Sequence, residues 1–293
     1  MNEQENSPVR VYPVVEEQFL ISKTGRLDDC EDALYIGKHF VAVIDGATSN
    51  TTERWNGETS GKIAARLLLE ACDRLPYDAT ARQAVDLLAW AIQSFYERMG
   101  VVEIMRTDPV QRATASIVLV SLWRKEVWFI GDCQCFLDDR LISNEKLVDR
   151  IASEARAMFL ETEILRGATI EELCQDDRGR AFIMPLLQRQ NLFQNNQAAG
   201  DYWYAVIDGS PVPDEGIVVH AIPASTEHIV LATDGYPVLK NSLEASEQAL
   251  QDILTDDSLL FRRYKTVKAL RPGNVSFDDR AFVKFRLQDS CFS

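Results

Sequence analysis

The sequence lacks the features of several large classes of protein. Its 293 residues include only three histidines and six cysteines, and no CxxC pair occurs, so neither a zinc site nor a disulfide framework is indicated. No window holds the ~20 apolar residues of a membrane span, and the polar segment 1–10 lacks the apolar core of a signal peptide. We therefore expect a cytoplasmic protein whose thiols are reduced and packed as small hydrophobic groups.

The sequence also has no excess of basic residues. It carries 45 acidic and 31 basic side chains, a formal net charge of -14 at pH 7, and no local basic patch offsets this balance. Such a charge repels nucleic acid and anionic membrane surfaces, so neither is expected as a partner. An acidic excess is compatible with bound divalent cations, although acidity is more often a solubility feature.

The sequence does contain an apolar run, residues 41–44, that ends in Asp45 and Gly46. A run of β-branched residues stopped by glycine predicts a buried strand that ends at a sheet edge. A carboxylate at that edge requires a cation, backbone donors or a turn to cap. On this stretch alone, a plain turn and a functional carboxylate are equally good interpretations.

A second acidic position is predicted to lie at the same edge. Residues 33–36 and 39–45 flank a polar turn and follow the pattern of an antiparallel hairpin. Because the two arms are similar in length, Glu31 and Asp32 are brought to the end where Asp45 lies.

Three further predicted strands carry an aspartate at one end. These aspartates are Asp132 after residues 127–130, Asp234 after residues 228–233, and Asp278 before residues 281–285. Hard carboxylate oxygens gathered in this way suit Mg²⁺ or Mn²⁺. No cysteine or histidine joins the set, which argues against zinc.

The rest of the pattern predicts helices laid over a sheet. One amphipathic helix is predicted to be capped by Thr59 and Ser60, and a second to start at Asp78 or Thr80. Another helical segment is predicted over residues 258–265. Residues 187–200, rich in Gln and Asn, predict an exposed loop, and residues 202–207 predict a strand.

The domain organisation follows from the absence of a linker between two cores. We interpret residues 1–293 as one domain, with a core of about residues 11–287 and a helical insert of about residues 144–200. A lid or partner surface and simple packing are both open interpretations of the insert.

The order and spacing of these motifs resemble the metal-dependent type 2C serine/threonine protein phosphatases, above all their bacterial branch. The resemblance spans about residues 18 to 287 and implies an α+β fold, a four-layer α-β-β-α sandwich of two antiparallel sheets flanked by helices. The matching residues are Glu31-Asp32-Ala33, Val43-Ile44-Asp45-Gly46, Thr114-Ala115, Ile130-Gly131-Asp132, Leu231-Ala232-Thr233-Asp234-Gly235 and Asp278-Asp279.

The resemblance also implies an activity. A phosphorylated protein would be the substrate, and phosphoserine or phosphothreonine would be hydrolysed by a hydroxide that bridges two Mn²⁺ or Mg²⁺ ions. Asp45 would bridge the ions and, with Asp234, act in catalysis, while Asp132 would serve a third, weaker metal position. The implied metal ligands are Glu31, Asp32, Asp45, Gly46, Asp132, Asp234 and Asp278.

Two departures from the family pattern leave alternatives open. Many members carry a histidine after the Asp-Gly pair as a candidate proton donor, where this chain has Ala47. Arg26 is the nearest match to the family's phosphate-binding arginine, although its offset differs and a solvated surface arginine is an equal interpretation. The alternatives are a catalytically weak pseudophosphatase that acts as a binding module, and a phosphatase of small metabolites.

Overall fold

The computed structural model describes residues 11–48, 54–55 and 57–289. Within them, ten strands form two antiparallel sheets of five strands each, in the orders β2-β3-β4-β5-β8 and β1-β10-β9-β6-β7. The strands are β1 (Val11–Ile21), β2 (Asp32–Ile36), β3 (Phe40–Gly46), β4 (Ala115–Ser121), β5 (Glu126–Ile130), β6 (Gln134–Leu137), β7 (Arg140–Ser143), β8 (Val218–Ala221), β9 (Ile229–Ala232) and β10 (Arg280–Asp289).

Seven α-helices lie within the described residues, and none of them is long and apolar enough to cross a membrane. The helices are α1 (Ser60–Cys72), α2 (Ala81–Met99), α3 (Val102–Thr107), α4 (Leu147–Leu165), α5 (Ile170–Gln175), α6 (Arg178–Arg189) and α7 (Leu243–Asp256). The side chains of Thr59 and Thr80 accept hydrogen bonds from backbone N–H groups and so cap α1 and α2. Both predicted helices are confirmed, with Thr59 as the cap of the first and Thr80, of the two predicted residues, as the cap of the second.

The layering follows from strands that are buried on both faces. On β3, Val41 and Val43 pack between the two sheets, whereas Ala42 and Ile44 pack against α1 and α2. This explains the unbroken apolar run, because neither face of the strand meets water. On the far side, the outer face of the second sheet packs against Tyr236 and the start of α7. The four-layer α-β-β-α sandwich is confirmed.

Two predictions in the second half of the chain are wrong. Residues 187–200 are not a loop, since α6 runs to Arg189 and the 3-10 helices Gln190–Phe193 and Gln197–Tyr202 follow, although most of these residues are exposed or half-buried. Residues 202–207 form isolated bridges instead of a strand. The Asn195 side chain donates hydrogen bonds to the Val206 carbonyl and to Asp208. Amides that satisfy the backbone inside a fold give the same sequence pattern as solvated amides.

The predicted helix over residues 258–265 is also wrong, because the segment consists of turns and bends. The carboxylate of Asp257 accepts hydrogen bonds from the backbone N–H groups of Phe261, Arg262 and Arg263, at 3.1, 2.8 and 2.8 Å. A side chain that captures these donors competes with the helical pattern.

The insert is joined to this irregular segment by one buried cation. Arg156, on α4, is fully buried, and its Nη2 lies 2.8 Å from Oδ2 of Asp177, just before α6. Its Nη1 donates to the carbonyl oxygens of Leu260 and Thr266, at 3.3 and 3.1 Å. One side chain therefore fixes α4, the start of α6 and residues 260–266 to one another. The interpretation of residues 1–293 as one domain stays a prediction.

We expect Arg156→Met to lower the free energy of unfolding by about 3 kcal/mol, because removing one partner of a buried ion pair leaves the others uncompensated. Urea denaturation checks this. The matched control is Arg262→Met, which breaks an exposed pair with Glu161 and should cost less than about 1 kcal/mol. Equal losses in the two variants would contradict the assigned role of Arg156.

Candidate functional site

Three aspartates from separate strand ends meet at one edge of the sandwich. Asp45 lies near the end of β3, Asp132 follows β5, and Asp234 follows β9. One carboxylate oxygen from each lies within 4.8 Å of the other two. Asp32 stands opposite Asp45 in the β2–β3 pairing, so a fourth carboxylate borders the same group, which we call the aspartate cluster (Asp32, Asp45, Asp132 and Asp234).

The end of β3 is held by backbone packed against backbone. A Cβ atom on Gly46 would lie 2.3 Å from the Glu31 carbonyl oxygen and 2.4 Å from that of Gly61. A Cβ atom on Gly61, at the start of α1, would lie 2.4 Å from the Ala47 carbonyl oxygen. Glycine is required at both positions because these neighbours are main chain and cannot turn aside.

The aspartate cluster is short of positive charge. Burial, together with the neighbouring carboxylates of Asp279 and Asp278, raises the pKa of Asp32, and burial with Asp234 and Asp32 raises that of Asp45. Burial and the charges of Asp132 and Asp278 raise the pKa of Asp234 to about 7. Carboxylates crowded in this way favour either protonation or a bound cation.

Asp32 is the strongest sign that the cluster suits a cation. Its residue is only 7% exposed, and among the described residues its Oδ2 atom has no hydrogen-bond partner. A buried carboxylate oxygen without a partner is costly. An all-oxygen donor set is what Mg²⁺ and Mn²⁺ prefer, so the aspartate cluster fits one hard divalent cation.

The carboxylates next to the aspartate cluster pair with lysine side chains. Lys23 Nζ lies 3.0 Å from Oε2 of Glu31, 3.5 Å from Oδ1 of Asp279 and 3.9 Å from Oδ1 of Asp278. Lys268 Nζ contacts the other oxygen of Asp278. Burial alone would raise the pKa of Asp278, but the ammonium groups of Lys268 and Lys23 outweigh burial and lower it. We call this group the lysine-paired side (Lys23, Glu31, Lys268, Asp278 and Asp279).

A third lysine contacts the aspartate cluster from the insert side. Lys146 Nζ, just before α4, lies 2.8 Å from Oδ1 of Asp132 and donates to Ser116 Oγ at 3.3 Å. Ser116, on β4, donates to the same aspartate oxygen at 2.7 Å. The Lys146 ammonium also lies 5.4 Å from the centre of the Tyr204 ring, an arrangement that adds a cation–π attraction. Lys146 is therefore held in a fixed position above Asp132.

A cavity of about 140 Å³ opens over both groups of carboxylates. Its walls combine acidic groups with basic ones and are covered by residues of the insert. The acidic lining residues are Asp45, Asp132, Asp149, Asp234 and Asp278, the basic ones are Arg112, Lys146, Arg180 and Lys268, and the cover includes Leu187, Gln190, Asn191, Gln194 and Tyr204. The insert thus forms one wall of the cavity.

A second cavity of about 450 Å³ adjoins the first. The two share seven lining residues, Asp132, Lys146, Asp149, Asp234, Val267, Lys268 and Asp278. The walls that belong only to the second cavity are mostly polar but include the large side chains of Leu141, Pro237, Tyr264 and Phe277. A ligand bound at the cluster can therefore extend from the first cavity into the second.

The structure does not bring Arg26 to this site. The Arg26 side chain is 75% exposed, and its Nε lies 3.6 Å from Oδ2 of Asp29. Arg26 lines neither cavity. Of the other predicted residues, Gly46 contributes backbone, and its N–H donates to the Glu31 carbonyl at 3.1 Å. The sequence analysis missed Lys23, Lys146 and Lys268, because they lie in connecting segments without a motif. It also missed that Asp279 accepts hydrogen bonds from the backbone N–H groups of Lys23 and Glu31.

The solved structures similar to this chain include bacterial serine/threonine phosphatases. Stp1 from Staphylococcus aureus is 13% identical with a TM-score of 0.48, over 97% of this chain and 99% of that one. PstP/Ppp from Mycobacterium tuberculosis is 16% identical with a TM-score of 0.44, over 96% and 99%. The catalytic domain of PstP in complex with two manganese ions is 16% identical with a TM-score of 0.45, over 96% and 99%.

No protein-family model and no curated protein matches the sequence. The solved structures are of the class that the sequence motifs resemble, but likenesses this distant carry no argument about activity. The function is therefore inferred from the chemistry of the two cavities.

We expect Gly61→Ala to destabilise the protein by about 2 kcal/mol, because a methyl group at this position overpacks against the main chain of Ala47 and Gly46. Helix propensity alone predicts the opposite sign, a gain of roughly 0.5–1 kcal/mol for alanine within a helix. Urea denaturation decides between them, and a more stable variant would show that the end of β3 does not depend on this contact.

Proposed function

We propose that this protein is a phosphomonoester hydrolase that depends on Mn²⁺ or Mg²⁺. The observation that carries the proposal is the meeting, within one cavity, of an aspartate cluster short of positive charge and the basic groups of Lys146, Arg180 and Lys268. A phosphate dianion needs positive charge on several sides, and the carboxylates supply the ligands for a cation on the side where they outnumber the ammonium group of Lys146.

Asp45, Asp132 and Asp234 would hold the divalent ion, with Asp32 beside them. When bound, such an ion offsets the charge of the phosphate and makes a water molecule acidic enough to attack phosphorus. Lys146 and Lys268 border the same space and would bind the phosphate oxygens, as would Arg180, whose position is fixed by its hydrogen bond to the Val267 carbonyl at 2.8 Å.

The leaving group receives no proton from an imidazole. All three histidines of the chain, His39, His220 and His228, lie outside the lining of both cavities. Burial opposes the charge of Lys146, but Asp132 and Asp149 outweigh burial and raise its pKa, so Lys146 is a poor acid and a good fixed cation. Water then protonates the leaving oxygen, which favours slow turnover.

The substrate we propose is phosphoserine or phosphothreonine within a protein segment. Ligand cavities usually measure ~300–1,000 Å³, and the first cavity, at about 140 Å³, has room for the phosphoryl group and little more. The rest of the substrate would lie in the second cavity, whose Leu141, Tyr264 and Phe277 side chains suit the residues next to a phosphorylated side chain. Because the insert covers the site, the segment would be extended and not part of a folded surface.

A second candidate is a binding module with little or no turnover. The specific observation in its favour is that lysines already pair with Asp132 and Asp278 while no histidine lines either cavity. Such a protein would bind a phosphorylated segment through the same residues and release it unchanged.

Hydrolysis of p-nitrophenyl phosphate with and without Mn²⁺ tests the proposal. We expect Mn²⁺-dependent hydrolysis by the wild type and a loss of about 100-fold or more in Asp234→Asn, since a cation supplies several kcal/mol of charge stabilisation. Asp201→Asn, a change at an exposed carboxylate, is the matched control and should retain full activity.

Two results would overturn the hydrolase. Activity that ignores both the metal and Asp234→Asn would remove the cluster from the reaction. Phosphopeptide binding by a wild type that never turns over would establish the binding module in its place.

The proposed substrate predicts a role for Tyr264 in the second cavity. We expect Tyr264→Ala to raise KM for a phosphoserine peptide about five- to tenfold, the cost of losing one anchoring aromatic contact, and to change KM for p-nitrophenyl phosphate less. Tyr77→Ala, at a half-exposed tyrosine outside both cavities, is the control. Unchanged peptide kinetics, with faster turnover of small phosphorylated metabolites than of peptides, would favour a metabolite phosphatase.

A further inference from the structure

We propose that Lys23 and Lys268 take the place of a second metal ion, so that this chain binds one divalent cation and not two. The inference deepens the proposed function and rests on it. The one cation would lie in the aspartate cluster, whereas on the lysine-paired side two ammonium groups supply the positive charge from within the protein.

The contacts of Asp278 show how the replacement is built. Its Oδ1 atom lies 3.9 Å from Lys23 Nζ, and its Oδ2 atom contacts Lys268 Nζ. Both ammonium groups also donate to Thr48 Oγ1, at 3.4 and 3.3 Å. The two lysines therefore converge on one carboxylate and one hydroxyl group, from segments 245 residues apart, and together occupy the coordination sites that a metal ion would need.

The charges on the two sides differ in a way that places the metal. On the lysine-paired side, the three carboxylates of Glu31, Asp278 and Asp279 face two ammonium groups. In the aspartate cluster, four carboxylates have the ammonium group of Lys146 in direct contact, through Asp132, and Lys268 acts on Asp234 from beyond ion-pair distance. A divalent cation gains most where negative charge is least compensated, so the aspartate cluster binds first.

Binding a second ion would require the lysines to leave. The Lys23 and Lys268 side chains are only 21% and 17% exposed, and an ammonium group displaced within a protein interior pays a desolvation penalty unless it finds new partners. Of the acidic partners, Glu31 is itself nearly buried. The ammonium groups of Lys23 and Lys268 are therefore hard to displace with a metal ion from solution.

The main chain fixes both lysines in place. The Asp279 carboxylate accepts hydrogen bonds from the backbone N–H groups of Lys23 and Glu31, at 2.7 and 2.8 Å, and the Lys23 carbonyl accepts one from Val275 at 2.9 Å. Arg180 holds the carbonyl of Val267, beside Lys268. Hydrogen bonds thus hold the backbone at or beside each lysine, so neither ammonium group belongs to a freely moving surface side chain.

Counting bound Mn²⁺ ions by isothermal titration calorimetry and equilibrium dialysis tests the inference. We expect one ion per wild-type chain and two per chain in the double variant Lys23→Met/Lys268→Met. Lys265→Met, which removes an exposed pair with Glu154, is the matched control and should still bind one. Asp234→Asn should weaken the single wild-type site at least tenfold, whereas Asp278→Asn should change it less than about threefold.

The possible counts separate this inference from the proposed function. Two ions in the wild type, or a single ion in a double variant that unfolds at the wild-type temperature, would overturn the lysine replacement and leave the hydrolase standing. No bound ion in the wild type would overturn the metal-dependent hydrolase itself. Should the double variant fail to fold, the wild-type count and the contrast between Asp234→Asn and Asp278→Asn decide the question.

Discussion

The structure depends on the compensation of negative charge at one edge of the sandwich. Antiparallel strands deliver carboxylates to this edge from β2, β3, β5 and β9, and residues 278–279 add two more ahead of β10. In surroundings of low dielectric constant, such a gathering is stable only if cations or protons enter it. Three lysines supply part of this positive charge, and the oxygen atoms of the aspartate cluster suit a divalent cation.

Much of the rest of the architecture holds these opposing charges in register. Gly46 and Gly61 let the main chains of β3 and α1 come into contact, which fixes the position of the strand end that carries Asp45. The Asp279 carboxylate accepts hydrogen bonds from the backbone N–H groups of Lys23 and Glu31 and so positions both residues. Arg156 fastens the insert to residues 260–266, and through them to the segment that carries Lys268. The insert is therefore coupled to the charge balance of the site as well as covering it.

The sequence predicts the acidic half of this arrangement and not the basic half, for a physical reason. A buried strand and the residue that ends it are local features, so the positions of Asp45, Asp132 and Asp234 at one edge follow from apolar runs and hairpin geometry. The lysines reach the edge through contacts between distant segments, with no local periodicity to mark them. Arg26 shows the converse error: its nearness to Glu31 in sequence says nothing about the direction of its side chain, which pairs with Asp29. The wrong helix over residues 258–265 has a different, local origin, since the Asp257 side chain accepts hydrogen bonds from three nearby backbone N–H groups that residue propensities do not predict.

The absence of a histidine after Asp45-Gly46 and the presence of the lysines both bear on how this site balances its charge. An ammonium group fixed by its own backbone neutralises a carboxylate at any metal concentration, but it cannot polarise water as a divalent ion does. Under the proposed function, the lysines at Glu31 and Asp278 would keep these carboxylates stable without metal, and metal chemistry would belong to the aspartate cluster. With one ion and no imidazole, the same cavity would bind a phosphorylated substrate firmly and turn it over slowly. Phosphate binding and phosphate hydrolysis would then draw on different residues of one site, with lysines and arginine serving the first and the aspartate cluster the second.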